Sequence, residues 1–361
     1  MRAVVKIGTS SITNALGELD DGAITKLCAE IVAAREAGHT VTLVCSGAIA
    51  AGMPALGITK RPHDIGTLQA IAAVGQPRLM ERISALLAGH GDVAGQVLVT
   101  PYDFLHRTQY VHARDTFSRL LDLGVVPVVN ENDTVADDEI RFGDNDLLAA
   151  LVANLIRADV LVMLTDTAGL FTADPRLDAS ASLIEQIVAV DEALDAAVGG
   201  AGSARGSGGM ATKLAAARIA AWSGVRAVIA SAEVPGVVAD AISGRAVGTE
   251  VAARPERLTS RKLWIAFAVR ASGRVVVDDG ARRALVSEGR SLLAAGIREV
   301  QGHFDAESAV EVVDAAGRVF AKGLVTTDAS AVRAAAGRRT ADLPPGSPTE
   351  VIHRDDLVVL A

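Results

Sequence analysis

Thr40-Val41-Thr42-Leu43-Val44-Cys45-Ser46-Gly47 decides how the first part of this chain folds. The run is apolar nearly throughout, as in a strand covered on both faces, and it stops at a serine and a glycine. Upstream, Ile24, Leu27, Cys28, Ile31 and Val32 recur at i, i+3, i+4, i+7 and i+8, which predicts a helix over 21–37. Asp20 or Asp21 can cap its start and Gly38 can end it. Before that helix, Ala3–Ile7 reads as a second apolar strand. Strand, helix and strand of these lengths form a right-handed crossover between parallel neighbours.

The same pattern continues downstream. Gln96–Val99, Val125–Val129, Val160–Leu164 and Ala227–Ala230 read as buried strands, with helices expected over Thr108–Leu121, Leu147–Ile156 and Lys213–Trp222. The expected fold is α/β, a three-layer α/β/α sandwich with a mainly parallel sheet. After about residue 255 the texture changes. Lys262–Ala268, Arg274–Asp278, Ile297–Gln301, Ala309–Val313, Val319–Lys322 and Leu357–Leu360 read as short strands punctuated by glycine. Two short helices are expected near Arg282–Glu288 and Ser330–Ala336. The boundary falls near Arg254–Ser260, a polar stretch with Pro255. The reading is two domains, 1–255 and a small β-rich 262–361.

Composition narrows the function. The 361 residues are half apolar and only 3% aromatic, so the core is aliphatic. A net charge of −8 argues against nucleic acid as the main partner, and Arg333, Arg338 and Arg339 form only a small basic cluster. Cys28 and Cys45 read as reduced, buried hydrophobes. The N-terminal strand has no signal-peptide core, and no run reaches the roughly 18 apolar residues that span a membrane. A soluble, cytoplasmic protein is expected.

Four segments carry the chemistry. Val5-Lys6-Ile7-Gly8-Thr9-Ser10 brings a lysine to the end of the first strand and into a glycine turn. In open α/β sheets ligands bind beyond such ends, where a lysine meets phosphate as a point charge. Cys45-Ser46-Gly47-Ala48 joins strand to helix, and Ser46 is either a helix cap or an anion contact. Asn130-Glu131-Asn132-Asp133 and Phe142-Gly143-Asp144-Asn145-Asp146 form a polar cluster after a strand, either a solvated loop or a holder for an amino acid's ammonium group. Ser207-Gly208-Gly209-Met210-Ala211-Thr212-Lys213 is a glycine-rich turn opening a helix, without the Walker A spacing. Each reads alone as ordinary loop chemistry. Together, at the strand ends of one sheet, they are an inventory for phosphoryl transfer.

These segments, with Ser46-Gly47-Ala48-Ile49, Thr165-Asp166, Gly169-Leu170 and Thr172-Ala173-Asp174-Pro175-Arg176, resemble the glutamate 5-kinase family in order and spacing. The residues after about 260, ending in His353-Arg354-Asp355-Asp356, resemble its PUA domain. The resemblance implies an amino acid kinase fold over 1–255 and a PUA domain over 262–361. It implies ATP-dependent phosphorylation of L-glutamate to L-glutamyl 5-phosphate, the first step of proline synthesis, with ATP and Mg²⁺ and no metal ligand from the protein. It assigns Lys6, Lys213 and Asp146 to catalysis, and Ser46, Asp133, Asn145, Asn130 and Asp144 to glutamate. To ATP it assigns Lys6, Gly8, Thr9, Thr165, Asp166, Ser207, Gly208, Gly209, Met210, Ala211, Thr212 and Lys213. It also implies proline as a feedback inhibitor, a homo-oligomer and a glutamyl-phosphate reductase partner. One departure is chemical: the family's loop is similar to Gly-Thr-Gly-Gly-Met-Ser-Thr-Lys, so Ser207 keeps a hydroxyl while Ala211 loses one. The competing readings are another amino acid kinase relative, acting on aspartate, N-acetylglutamate, carbamate or a nucleotide, and an RNA-binding protein with a degenerate kinase-like domain.

Overall fold

The computed structural model describes residues 1–135, 145–173, 175, 178, 180–187, 208–255, 257–342 and 349–360. It divides into two compact units, Met1–Arg257 and Leu258–Ala361.

In the first unit the elements run β1 (Arg2–Ile7), α1 (Asp21–Glu36), β2 (Thr40–Cys45), α2 (Ala48–Gly52), α3 (Ile65–Ala88), β3 (Ala94–Val99), α4 (Pro101–Leu105), α5 (Arg107–Asp122), β4 (Val126–Glu131), α6 (Asn145–Leu155), β5 (Val160–Thr165), β6 (Gln186–Ile187), α7 (Gly208–Trp222), β7 (Arg226–Ser231), α8 (Val237–Ser243) and β8 (Thr249–Val251). Among the described residues the strands form one sheet in the order β3-β4-β2-β1-β5-β7-β8-β6. All neighbours are parallel except β7 and β8.

Alternation along β1 divides its residues between the two faces. Ala3, Val5 and Ile7 join Val41, Leu43 and Cys45 in a core closed by α1, α3 and α8. Lys6 leaves on the opposite side, where α6 packs on β1 and α7 packs on α6. The α1 helix forms as its periodicity dictates: Ile24, Leu27, Cys28, Ile31 and Val32 are buried, and the Asp20 carboxylate accepts from the backbone N–H groups of Gly22 and Ala23. Both cysteines are free and buried. Burial pushes the Cys45 thiol up to about 12 and that of Cys28 to about 11, so neither is a nucleophile near neutrality.

The long helix α3 has no counterpart in the sequence-based expectations, and Pro77 stands inside it. It lies unusually close to α2. A Cβ at Gly75 would sit 1.8 Å from the Ala48 carbonyl oxygen and 2.5 Å from the Gly52 nitrogen, and one at Gly52 would sit 2.1 Å from the Ile71 oxygen. Since the obstacle is backbone, no side chain can yield to make room. Gly75→Ala is therefore expected to cost about 3 kcal/mol. Equilibrium denaturation measures it as a lower midpoint at unchanged slope.

The second unit contains α9 (Ser260–Leu263), β9 (Gly273–Val277), α10 (Asp279–Glu288), β10 (Leu292–Leu293), β11 (Ile297–Gly302), β12 (Ala309–Val313), β13 (Val319–Val325), α11 (Ala329–Ala335) and β14 (Glu350–Val359). Its sheet has the order β10-β14-β13-β12-β9-β11, with only β9 and β12 parallel among the described pairings. Val275, Val277, Val310, Val312, Phe320 and Ile352 are part of its core.

One expectation fails here. Lys262–Ala268 is helical: α9 is followed directly by a π-helical turn over Trp264–Ala268. A short apolar run fits either a buried strand or a buried helix, and here local hydrogen bonds decide. The Leu263 N–H donates to the Thr259 carbonyl, and the Val269 N–H to the Trp264 carbonyl, closing a five-residue turn. The buried Lys322 ammonium donates to the carbonyls of Val269 and Ala266 at the end of that turn. Burial lowers its pKa from the ordinary lysine value.

Candidate active site

Three parallel strands deliver the site: β1, β2 and β5 end side by side, with Lys6 level with Val44 and Met163. Lys6 is fully buried, as is Asp146, and Lys213 is 7% exposed. The Lys6 ammonium lies 2.6 Å from Asp146 Oδ1, and that of Lys213 lies 3.1 Å from Oδ2. The Thr212 hydroxyl is 3.1 Å from the same Oδ2. Buried charge survives only when paired, and here two ammonium groups from β1 and α7 converge on one carboxylate in the first turn of α6. A solvated lysine at a strand end is excluded for Lys6. Thr212, assigned by resemblance to ATP, turns its hydroxyl to Asp146.

The residue before Asp146 organises a second, neutral cluster. The Asn145 side-chain nitrogen lies 2.9 Å from the Cys45 carbonyl, 3.1 Å from Ser46 Oγ and 2.7 Å from Asn130 Oδ1. Ser46 is not a helix cap: the cap position of α2 is Gly47, with no side-chain cap bond. Gly47 has φ 109°, and a Cβ there would sit 2.9 Å from Ile12 Cδ1. The reversal from β2 into α2 therefore requires glycine, and it aims Ser46 at Asn145. Asn130, on β4, is buried and donates 2.7 Å to Gln76 Oε1 of α3.

The remaining expected residues lie around these clusters. Gly8 follows β1, and a Cβ there would be 3.6 Å from Lys6 Nζ; Thr9 opens a single 3₁₀ turn. Asp133 is half-buried in the turn after β4. Thr165 ends β5 and its hydroxyl donates 3.0 Å to Asp166 Oδ1. These two border a cleft of about 370 Å³ together with Ile7, Ser10, Lys26 and Glu233. Lys6, Asp146 and Lys213 do not line that cleft, and Lys6 leaves β1 on the face where α6 packs. Gly208, Gly209, Met210, Ala211 and Thr212 open α7, whose second turn carries Lys213. Asp144 and Ser207 lie outside the described residues, as do Gly143, Asp174 and Arg176.

Gln76 escaped the sequence reading. It occupies a buried position on α3 among Ile71, Ala72, Gly75, Leu79 and Ile83. A lone amide at a core position of an apolar stripe is the signal that would have marked it.

Comparison with known proteins gives the family. Residues 1–231 match the model of the amino acid kinase family, and residues 273–345 match the PUA domain. The chain is 46% identical over 363 residues to the glutamate 5-kinase of Paraburkholderia phymatum, covering 99% of this chain and 98% of that one. It is also 46% identical to the glutamate 5-kinase of Myxococcus xanthus, with 99% and 96% covered. Among solved structures, carbamate kinase from Giardia lamblia bound to AMP-PNP aligns with a TM-score of 0.50 and 17% identity, over 70% of this chain and 98% of that one, a likeness of fold. The chain belongs to the amino acid kinase family and, within it, to the glutamate 5-kinases.

Proposed function

We propose that this chain transfers the γ-phosphoryl group of ATP to the side-chain carboxylate of L-glutamate, with Lys6 and Lys213 neutralising the phosphoryl group and Asp146 holding both. The observation that carries the site assignment is the pair of buried ammonium groups on one carboxylate at the carboxyl ends of the sheet. The glutamate carboxylate is ionised at neutral pH and needs no general base. Its oxygen attacks the γ-phosphorus, the bond to the β-phosphate oxygen breaks, ADP leaves, and no proton moves. What the protein supplies is alignment and positive charge for the equatorial oxygens.

Ser46, Asn130, Asn145, Asp133 and Asp144 are assigned to glutamate, and Gly8, Thr9, Thr165, Asp166 and the loop 207–213 to ATP. The asparagine cluster beside the lysines supports the first assignment. The glycine turn opening α7, whose helix N-terminus favours phosphate, supports the second. Residues 1–255 are assigned as the kinase domain and 262–361 as the PUA domain, in keeping with the division after Arg257.

The family typically uses a divalent ion, here taken as Mg²⁺. Both oxygens of Asp146 are engaged by lysines, and among the described residues no three His, Cys, Asp or Glu side chains converge. That donor set suits an ion carried by the nucleotide phosphates, with Asp166 the exposed carboxylate at the end of β5. When bound, such an ion adds charge neutralisation at the phosphates. Nothing favours the RNA-binding alternative, since the lysines and aspartate of the kinase cluster are present and paired. Proline as feedback inhibitor, a homo-oligomer, a reductase partner and a cytoplasmic location remain part of the proposed reading. No helix among the described residues is long and apolar enough to cross a membrane.

The test is ADP release from Mg-ATP with L-glutamate, hydroxylamine trapping the acyl phosphate, beside L-aspartate, N-acetyl-L-glutamate and no substrate. Glutamate-dependent ADP and hydroxamate are expected. Equal or greater turnover with another acid would overturn the substrate assignment. Proline added to the same assay tests the inhibitor.

A further inference from the structure

Gln76 lies far from the glycine loop in sequence, and no motif includes it. It is 8% exposed, on a helix whose other buried residues are apolar or glycine. Among the described residues its side chain meets the substrate cluster: Asn130 Nδ2 donates to Gln76 Oε1 at 2.7 Å.

The hydrogen-bond directions in this cluster follow from backbone groups that have only one role each. The Cys45 carbonyl can only accept, so the amide end of Asn145 that faces it at 2.9 Å is the nitrogen. The Glu131 N–H can only donate, so the end of Asn130 that faces it at 2.9 Å is the oxygen. Asn130 Oδ1 then also accepts from Asn145 Nδ2 at 2.7 Å. With its oxygen committed to these two donors, Asn130 must present its nitrogen to α3, and Gln76 must answer with an oxygen. The same logic turns Asn145 Oδ1 away from the Cys45 carbonyl as an acceptor, which suits a substrate ammonium group.

The bonds also close a circuit through the fold. Ser46 leads through Gly47 into α2; α2 is locked on α3 at Gly75; the next residue, Gln76, holds Asn130 on β4; Asn130 holds Asn145 on α6; and Asn145 reaches back to Ser46 Oγ. Asn145 is followed by Asp146, which holds the two lysines.

We propose that Gln76 is a positioning residue for the amino acid substrate: by accepting from Asn130 it sets the orientation of the Asn130 and Asn145 amides, and with it the affinity for L-glutamate. This rests on the assignment of that cluster to glutamate. Loss of the acceptor strands a buried N–H or flips Asn130, which sets its nitrogen against that of Asn145.

The experiment compares wild type, Gln76→Leu and Gln76→Glu in the hydroxamate assay, varying glutamate and ATP separately, with thermal unfolding of each protein. Gln76→Leu is expected to raise KM for glutamate about tenfold or more while KM for ATP stays within about twofold. Gln76→Glu, which keeps an acceptor oxygen, is expected to recover most of the glutamate affinity. An unchanged KM for glutamate in Gln76→Leu, or equal rises for both substrates in a folded variant, overturns the role of Gln76. If Gln76→Leu does not fold, Gln76→Glu decides: near-wild-type KM for glutamate supports the acceptor role, and a rise as large as tenfold with an unmoved unfolding midpoint opposes it. Absence of glutamate turnover in wild type would instead overturn the substrate assignment itself, and this proposal with it.

Discussion

Asp146→Asn is expected to lower kcat about 10³-fold or more. The carboxylate touches two ammonium groups, at 2.6 and 3.1 Å, and is itself fully buried. Asparagine keeps the shape and one acceptor oxygen but removes the charge, and its nitrogen then faces one of the ammonium groups. The two lysines repel each other across a neutral side chain, and at least one swings away or gives up its proton. Removing one partner of a buried ionic cluster also destabilises the fold, by about 3–5 kcal/mol. The two consequences separate experimentally. Steady-state ADP release at saturating ATP and glutamate gives kcat, and denaturant unfolding gives the stability loss. A variant with near-normal kcat would remove Asp146 from the catalytic apparatus, whatever its stability.

Lys213→Ala is the second large effect, and it differs in kind. Asp146 remains paired with Lys6 through Oδ1 and keeps the Thr212 hydroxyl near Oδ2, so no buried charge is stranded. The fold is expected to survive, with an unfolding midpoint close to wild type. The lost interaction is with charge that grows on the phosphoryl group as the bond to ADP breaks. kcat should therefore fall about 10³-fold, and kcat/KM for glutamate should fall by the same factor. Lys213→Arg should restore little, because a planar guanidinium does not reproduce a compact point charge in a buried three-residue cluster. The double variant Asp146→Asn with Lys213→Ala should lose far less than the product of the two single losses, since both disable one unit. Full additivity would mean that the two residues act separately.

The site is partly legible in the sequence. Lys6, Ser46, Asn130 and Thr165 each sit at the end of an apolar run, and a strand end in a parallel sheet is where ligands bind. Lys213 is marked by the glycines before it. What the linear order does not reveal is which carboxylate receives the lysines. Asp133, Asp144, Asp146 and Asp166 all lie in polar stretches beside strands, and the role of Asp146 came from family resemblance alone. In the structure it is set by one helical step: Asn145 and Asp146 both open α6, and their side chains diverge into the neutral and charged clusters. Gln76 was illegible because α3 itself was missed.

By itself the sequence determined the alternation of buried strands and amphipathic helices, because apolar periodicity is a local property that any folded arrangement must satisfy. It determined the glycine after Ser46, whose left-handed backbone excludes other residues, and the aliphatic cores of both units. Lys262–Ala268 marks the limit: an apolar run satisfies strand and helix equally, and neighbouring carbonyls made the choice. Only the tertiary structure decided that Lys6 and Lys213, about two hundred positions apart in the sequence, share one carboxylate. Only it decided that an amide on a closely packed helix meets an asparagine on a strand. These are distances between elements, fixed by the sheet order and by how closely the helices approach one another, and no local pattern encodes them.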